Sequence, residues 1–166
     1  MKGLDNPTYL FMLVAFNVLA IIFLWAAVKR PRVSRLLFFL LFGWACWMNW
    51  TISQRSPDDY LIYADLNLSG WYRDFIRGWF SKRIPLVVGV IATCQGMIAV
   101  SMWLKGWLYK VGCIGAIIFL VAIAPFGVGS GFPCTIIFAV ALAILYKKGN
   151  LFLWEAPVPA SPRPVR

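Results

Sequence analysis

The chain has 166 residues, of which 61% are hydrophobic and 13% charged, and its mean hydropathy is +0.77. These values are typical of membrane proteins with several spans and argue against a soluble enzyme with a water-filled cleft. The formal net charge is +10, but the basic residues cluster at the ends of apolar segments, where they meet lipid headgroups rather than nucleic acid. Because the sequence contains no histidine, this chain alone cannot ligate haem or a metal through imidazole.

Two apolar segments near the N-terminus predict the first two membrane spans, at about residues 7–28 and 36–53. Asn6 and Pro7 suit the cap and first turn of the first helix, and no small-residue cleavage site follows it, so we expect it to be retained. Asn17 lies at its mid-depth, where an amide side chain usually bonds a neighbouring helix. The connection KRPRVSR carries four basic residues in seven and is a strong orientation signal.

Three tryptophans, Trp44, Trp47 and Trp50, recur every three residues and share one broad side of the second span. Because tryptophan prefers the membrane interface, we expect this end of the span to lie near the headgroups. The alternative is a flat aromatic wall that meets a pigment, a quinone or a partner helix. The candidate cofactor contacts on that alternative are Trp44, Trp47, Asn49 and, from the third span, Gln95.

The longest polar stretch, residues 55–83, is predicted to fold, with an amphipathic helical segment within 56–82. The tetrapeptide SPDD at 56–59 has the pattern of a helix start, and that helix would run to about Leu66, before a break at 67–70. Apolar residues then recur on one side of a further helix, which would lie in the membrane interface or cover the mouth of the bundle. They are Trp71, Tyr72, Phe75, Ile76, Trp79 and Phe80.

The third predicted span, about residues 84–104, carries small residues at intervals of three and four, a spacing that lets helix backbones approach closely in lipid. The fourth span continues this spacing. The small residues expected at packing interfaces, with partners or neighbouring helices, are Gly89, Ala92, Gly96, Ala99, Gly112 and Ala116. Gln95 must find hydrogen-bond partners, since an unsatisfied amide in low dielectric costs on the order of several kcal/mol.

Residues 111–146 form a run of 36 residues without Asp, Glu, Lys, Arg or His. This run predicts two spans, about 108–125 and 132–148, joined by the turn PFGVGSGFP. Residues 1–148 would thus form one all-α membrane domain of five helices, and residues 149–166 an extended proline-rich tail. All four cysteines lie in apolar segments without a C-x-x-C pair, so we expect them to be structural.

The distribution of basic residues predicts the orientation of the chain. With the C-terminus inside, the inner segments hold ten Lys and Arg and the outer segments hold six. Acidic residues contribute little to this rule, so the margin favours an N-terminus outside and a C-terminus in the cytoplasm. We therefore expect a multi-pass protein of the cell (inner) membrane.

Two glycine-bearing segments carry a resemblance to a known family. They are IPLVVGVIATCQGMIAVSMWLKG, with Gly89 and Gly96, and GVGSGFPCTIIFAVALAIL before and within the last span. Through them, residues 36–148 resemble the DoxX-like small membrane proteins. The resemblance implies a four-helix membrane bundle, to which this chain adds an N-terminal helix, and an association with membrane redox systems. No catalytic residue of that family maps onto this chain.

Together these features favour a non-catalytic membrane subunit that packs within a larger complex, of redox or electron-transfer type according to the resemblance. Its expected partners are membrane lipids and other membrane subunits or copies of itself, and it could contact a quinone or pigment that a partner holds. A small homo-oligomeric transporter or channel is the alternative, because the uncharged PFGVGSGFP turn could line a pore. A DoxX-type membrane oxidoreductase is a third, with the acids and arginines of the second loop as its clustered titratable groups.

Overall fold

In a computed structural model, residues 7–66, 70–148 and 153 are described. Within those residues the chain is all-helical and contains no strand. The predicted cap Asn6, residues 67–69 of the predicted break, and all of the predicted tail except Leu153 lie outside the described residues.

Five long helices account for most of the described chain. They are α1 (Pro7–Lys29), α2 (Pro31–Arg55), α5 (Ile84–Ser101), α6 (Gly106–Ile123) and α7 (Cys134–Lys148). The second loop holds a 3₁₀ turn (Pro57–Ile62), α3 (Tyr63–Leu66), α4 (Gly70–Phe75) and a π-helical turn (Ile76–Phe80), and a 3₁₀ turn (Ala124–Ser130) follows α6.

Among the described residues, four helical segments are long and apolar enough to cross a membrane, which makes the structure compatible with a multi-pass membrane protein. They are Pro7–Lys29, Pro31–Arg55, Ile84–Ser101 and Gly106–Ser130, the last of which includes the 3₁₀ turn after α6. α7 has 15 residues and is about 22 Å long, which is less than the roughly 30 Å of bilayer hydrocarbon. The fifth predicted span is therefore not confirmed.

Aromatic rings form the centre of the bundle. α2 packs along α5, while α7 packs against both α1 and α6. Phe23 of α1 meets Phe38 of α2 edge to face at a centroid distance of 4.8 Å, and meets Phe138 of α7 at 5.0 Å. The three rings belong to the main buried apolar cluster, which thus joins α1, α2 and α7.

Arg35 is a buried cation at the end of the bundle where α1 is joined to α2. Only 4% of its surface is exposed, and its guanidinium donates to Met102 O at 2.9 and 2.6 Å and to Leu104 O at 2.5 Å. It also lies over the Tyr109 ring, 4.2 Å from the centroid. Since the last carbonyls of a helix have no partner within it, Arg35 satisfies the end of α5 from a different helix.

Lys148 has the same role at the end of α1. Its ammonium donates to Val28 O at 2.6 Å and to Ala27 O at 3.4 Å. The second helix begins earlier than the sequence predicts, at Pro31 rather than near residue 36. Most of the KRPRVSR connection is therefore helical. Pro31 fits the first turn, where the missing N–H costs no hydrogen bond.

α6 lies tightly against α5 at Gly112. A Cβ placed on Gly112 would overlap the side chain of Ser101, whose hydroxyl is bonded to Ile98 O at 2.6 Å. Gly115, one turn further along α6, would gain only ordinary contacts from a Cβ, the nearest atom being 3.9 Å away on Ile98. The two glycines therefore differ in how much space surrounds them.

We expect Gly112→Ala to lower the free energy of unfolding in detergent by about 1–3 kcal/mol, because overpacking forces the two helices apart. Gly115→Ala is the matched control and should be neutral or slightly stabilising, since alanine favours helix over glycine by about 1 kcal/mol. Adding Ser101→Gly to Gly112→Ala should restore part of the loss. Equal thermal midpoints for the two alanine variants would show that α5 and α6 do not cross at Gly112.

Arg35→Met should destabilise the protein by about 1.5–3 kcal/mol, because hydrogen bonds from a charged donor are lost and buried carbonyls are left unsatisfied. Arg35→Lys should lose less stability, because lysine keeps the positive charge but cannot donate from two nitrogens to the Met102 carbonyl. Denaturation in mild detergent measures both variants, with the exposed Arg30→Met as control. A loss no larger than that of the control would exclude the proposed support of α5 by Arg35.

Candidate functional site

Three polar side chains from separate segments form a hydrogen-bonded group between α2, α5 and the 3₁₀ turn after α2. The Asn49 amide donates to Gln95 Oε1 at 2.8 Å, and the Tyr60 hydroxyl donates to Asn49 Oδ1 at 2.8 Å. Gln95 is only 2% exposed, and a buried acceptor without a donor costs about 1–3 kcal/mol. The partner that the sequence requires for Gln95 is therefore present within the chain.

Tyr60 reaches Asn49 because the chain turns back directly after α2. Pro57–Ile62 is a 3₁₀ turn where the sequence predicts the start of an α-helix, and the Ser56 side chain makes no capping bond. The Tyr60 ring packs with Val88 of α5 in a small apolar cluster. Burial raises the pKa of the Tyr60 phenol to about 12, so its hydroxyl keeps its proton at physiological pH and can donate to Asn49.

The connection between α6 and α7, residues 124–133, is irregular and lies beside the N-terminal half of α1. Gly127 and Gly131 adopt positive φ angles of 63° and 72°, which glycine reaches without a steric penalty. The Asn17 amide donates to Gly131 O at 3.1 Å and to Leu13 O at 2.8 Å. Because Asn17 is the eleventh of the 23 residues of α1, this bond holds the connection at half the length of that helix.

The second loop covers this connection. Tyr63 of α3 stacks on Phe126, with ring centroids 5.6 Å apart. The lack of a side chain at Gly129 makes room for the Tyr63 ring, since a Cβ there would lie 2.7 Å from it. Tyr72 of α4 donates to Ala122 O at 2.8 Å. Side chains distant in sequence thus supply contacts that an unbroken helix would make for itself.

Two buried polar atoms near this connection have no hydrogen-bond partner among the described residues. They are Asn17 Oδ1, whose amide nitrogen already bonds Gly131, and Thr135 Oγ1 in the first turn of α7. Buried polar atoms are normally satisfied by protein or by ordered water. The two atoms could therefore bind a water molecule or a small polar ligand.

The tryptophans of α2 lie on the outside of the bundle. Trp44 is 50% exposed and Trp47 is 62% exposed. Since α2 extends from Pro31 to Arg55, Trp44 is residue 14 of 25 and lies near the centre of the helix. Trp50 is residue 20 of 25 and lies closer to the C-terminal end of α2. The expected position of that end near the headgroups stays a prediction.

The four candidate cofactor contacts consequently fall into two groups. Asn49 and Gln95 are bonded to each other between α2 and α5, whereas Trp44 and Trp47 are exposed on the outer face of α2. The structure does not assemble the four into one pocket among its described residues. Binding of a cofactor by any of them stays a prediction.

The small residues of α5 and α6 lie against helices of this same chain. A Cβ on Gly89 would contact the Trp50 ring at 3.8 Å, and one on Gly96 would contact Cys46 Sγ at 3.2 Å. Four others are buried in the bundle, namely Ala92, Ala99, Gly112 and Ala116. These surfaces are occupied inside the chain, and packing against a partner through them stays a prediction.

The sequence predicts that the apolar residues of segment 71–80 share one side of a helix, but in the structure they are divided between an exposed face and a face that packs on the bundle. Trp71, Phe75 and Trp79 stack in sequence with centroids 5.9 and 5.8 Å apart, and all three are exposed. Ile76 is buried, and Tyr72 bonds α6. One face therefore packs on the bundle, while the other forms an outward row of rings.

Four charged residues of the second loop form two exposed pairs. Arg77 bonds Asp65 at 2.5 Å, and Arg73 lies 3.8 Å from Asp74. Exposed pairs of this kind contribute about 0–1 kcal/mol. In the part of the chain that the structure describes, no group of three His, Cys, Asp or Glu could hold a metal ion.

Sequence patterns missed two contacts of this region. Tyr60 reads as an aromatic residue within a helix, and only the turn at 57–62 brings it to Asn49. The bond from Asn17 to Gly131 joins residues 114 apart in the chain. The amide of Asn17 needs a hydrogen-bond acceptor within an apolar span, and the carbonyls of the glycine-rich connection need donors. This complementary requirement was the signal in the sequence that could have indicated their contact.

No family model, no curated protein and no solved structure matches this chain. The DoxX-like resemblance therefore depends on the two glycine-bearing segments alone and stays a prediction.

Asn49→Leu should lower the free energy of unfolding by about 2–3 kcal/mol, because it leaves Gln95 and the Tyr60 hydroxyl without their shared partner. Tyr60→Phe should cost about 1 kcal/mol, since only one bond is lost. Gln54→Leu, an exposed amide on the same helix, is the control. Denaturation in detergent measures the three variants, and an Asn49→Leu protein as stable as the control would show that the polar group does not form.

Proposed function

We propose that this chain is a non-catalytic integral membrane subunit that docks on a larger membrane partner through the outer face of α2. The observation that carries the proposal is the position of Trp44, half exposed at the centre of an apolar helix of 25 residues. Trp44 and Trp47 together form an exposed aromatic surface on which a partner protein could pack.

Tryptophan favours the two ends of a membrane span, where its indole N–H reaches water or headgroups. At the centre of a span the same N–H needs an acceptor, and lipid chains offer none. A helix of a partner subunit, or a quinone or pigment held by that subunit, would supply both an acceptor and apolar contact. Aromatic side chains are also enriched among residues that dominate binding at interfaces.

The topology that we propose has five crossings in the cell (inner) membrane, with the N-terminus outside and the C-terminus in the cytoplasm. α7 is short, but it packs along α1 and α6 and ends at Lys147 and Lys148, which can reach headgroups. The irregular connection before it would then lie at membrane depth. Exposed backbone is tolerated there only where protein or water covers it, and Asn17, Tyr63 and Tyr72 provide that cover.

We further propose that the outward row of Trp71, Phe75 and Trp79 lies in the membrane interface. Rings of this type favour the headgroup region, and α4 with its π-helical turn keeps the opposite face on the bundle. The redox or electron-transfer character of the partner complex follows from the DoxX-like resemblance alone. The subunit role itself depends on Trp44 and not on that resemblance.

A small homo-oligomeric transporter or channel is the second candidate, and one observation favours it. Near the break at residues 124–133, two buried polar atoms have no partner among the described residues, namely Asn17 Oδ1 of α1 and Thr135 Oγ1 of α7. Transporters often place substrate and ion sites where helices are discontinuous near the middle of the membrane. Under this function, Asn17 and Thr135 would line the path of a small polar solute.

We expect the double variant Trp44→Leu/Trp47→Leu to lose its larger partner during purification in mild detergent, because the central rings of the docking face are removed. Interface residues of this type contribute about 2 kcal/mol or more each, so the loss should exceed a hundredfold in affinity. The matched control is Trp25→Leu/Trp107→Leu, which removes two exposed rings from α1 and α6. Quantitative mass spectrometry of the copurified proteins measures the result.

Retention of the same partner by both double variants would contradict docking through α2. Purification of the wild-type chain as a homo-oligomer without another protein would favour the transporter instead. In that case Asn17→Leu should abolish solute flux in proteoliposomes while the oligomer remains intact.

A further inference from the structure

A shallow apolar groove of about 430 Å³ runs along the outside of the bundle between α2 and α5. α2 contributes Trp50 and Gln54 to its lining, and α5 contributes Leu86, Val90, Cys94 and Met97. From Leu86 to Met97 the groove follows α5 for about 17 Å. This length and the mostly apolar lining suit an extended hydrocarbon chain.

Three cations gather at one end of this groove. Arg55 directly follows Gln54 at the end of α2, while Lys82 and Arg83 come immediately before α5. All three side chains are exposed, and none forms an ion pair with a carboxylate of residues 7–66 or 70–148. The Arg83 guanidinium lies over the Trp79 ring, 5.1 Å from its centroid.

We propose that the α2–α5 groove binds an anionic phospholipid, with one acyl chain in the groove and the phosphate at Arg55, Lys82 and Arg83. An apolar groove with cations beyond one end matches an amphiphile with an acidic head and a hydrocarbon tail. The proposed topology puts these cations at the outer leaflet, where they would attract any acidic headgroup within a Debye length, and the Trp79 ring suits the headgroup level. The acids Asp58 and Asp59, in the adjacent 3₁₀ turn, are not paired with these cations.

This inference depends on the proposed membrane location but not on the docking of a partner at Trp44. Cys94 provides an internal reporter, because it lines the groove and its side chain is exposed. The other cysteines are less accessible: Cys46 is half-buried, and Cys113 and Cys134 are buried. An acyl chain in the groove should cover its thiol.

The test places the purified full chain in lipid nanodiscs and measures the rate at which a membrane-permeant maleimide labels Cys94. One set of nanodiscs contains phosphatidylcholine alone, and the other adds phosphatidylglycerol with the same acyl chains. We expect the anionic lipid to slow labelling about fivefold or more, because the three cations retain it. A Cys94→Ala variant gives the background from the other thiols.

The variant Arg55→Gln/Lys82→Gln/Arg83→Gln should label at the same rate in both lipids. The control Lys29→Gln/Arg30→Gln/Lys147→Gln removes the same charge from the opposite end of the bundle and should retain the protection. Single variants at Arg55 and Lys82 replace the triple variant if it does not fold, and each should lose part of the protection.

Equal labelling of the wild-type chain in the two lipids would overturn the proposal, as would full protection in the triple variant. Loss of the anionic-lipid protection on addition of inorganic phosphate would assign the cations to a free anion instead. Protection seen only when another protein copurifies would assign the groove to a protein interface. A chain that does not insert into nanodiscs at all would contradict the proposed membrane location, which is a different failure.

Discussion

Backbone carbonyls that helix geometry leaves without partners are the constraint on which this structure depends. Every helix ends with such groups, and in an apolar environment each one needs a donor. Here the donors come from other helices: Arg35 bonds the end of α5, Lys148 bonds the end of α1, and Asn17 bonds the irregular connection at Gly131. These bonds join residues 67 to 120 positions apart in the chain, so the same contacts that satisfy the backbone also fix how the helices are arranged.

The side chains are divided between the inside and the outside of the bundle in a way that bears on function. Small residues and phenylalanines hold the helices together, and the close approach at Gly112 has no space for a methyl group. Tryptophans are placed outward, at the centre of α2 and along the row from Trp71 to Trp79. The interior of the described chain is thus used mainly for packing, and the docking that we propose would use its outer surface.

The sequence predicted the helical class and the positions of the long helices, because uninterrupted apolar runs leave few alternatives to helix. It could not place Arg35, because a basic residue in KRPRVSR is expected to contact lipid headgroups. Only the structure shows that its guanidinium bonds the carbonyls of Met102 and Leu104 instead. The sequence also could not show that the Trp44 ring is half exposed on the outside of the bundle, because exposure depends on which helices pack beside α2. The bonds of Asn49 to Gln95 and of Asn17 to Gly131 depend on tertiary geometry, which local pattern does not contain.

Hydrogen exchange of the full chain in lipid nanodiscs tests most directly whether the irregular connection is covered at membrane depth. We expect the amides of residues 126–132 to exchange as slowly as those of α6 and α7, because cover by Asn17, Tyr63 and Tyr72 excludes water from them. The outward segment around Trp71 and Trp79 should exchange faster under the same conditions. Exchange of residues 126–132 at the rate of an unstructured peptide would contradict this arrangement.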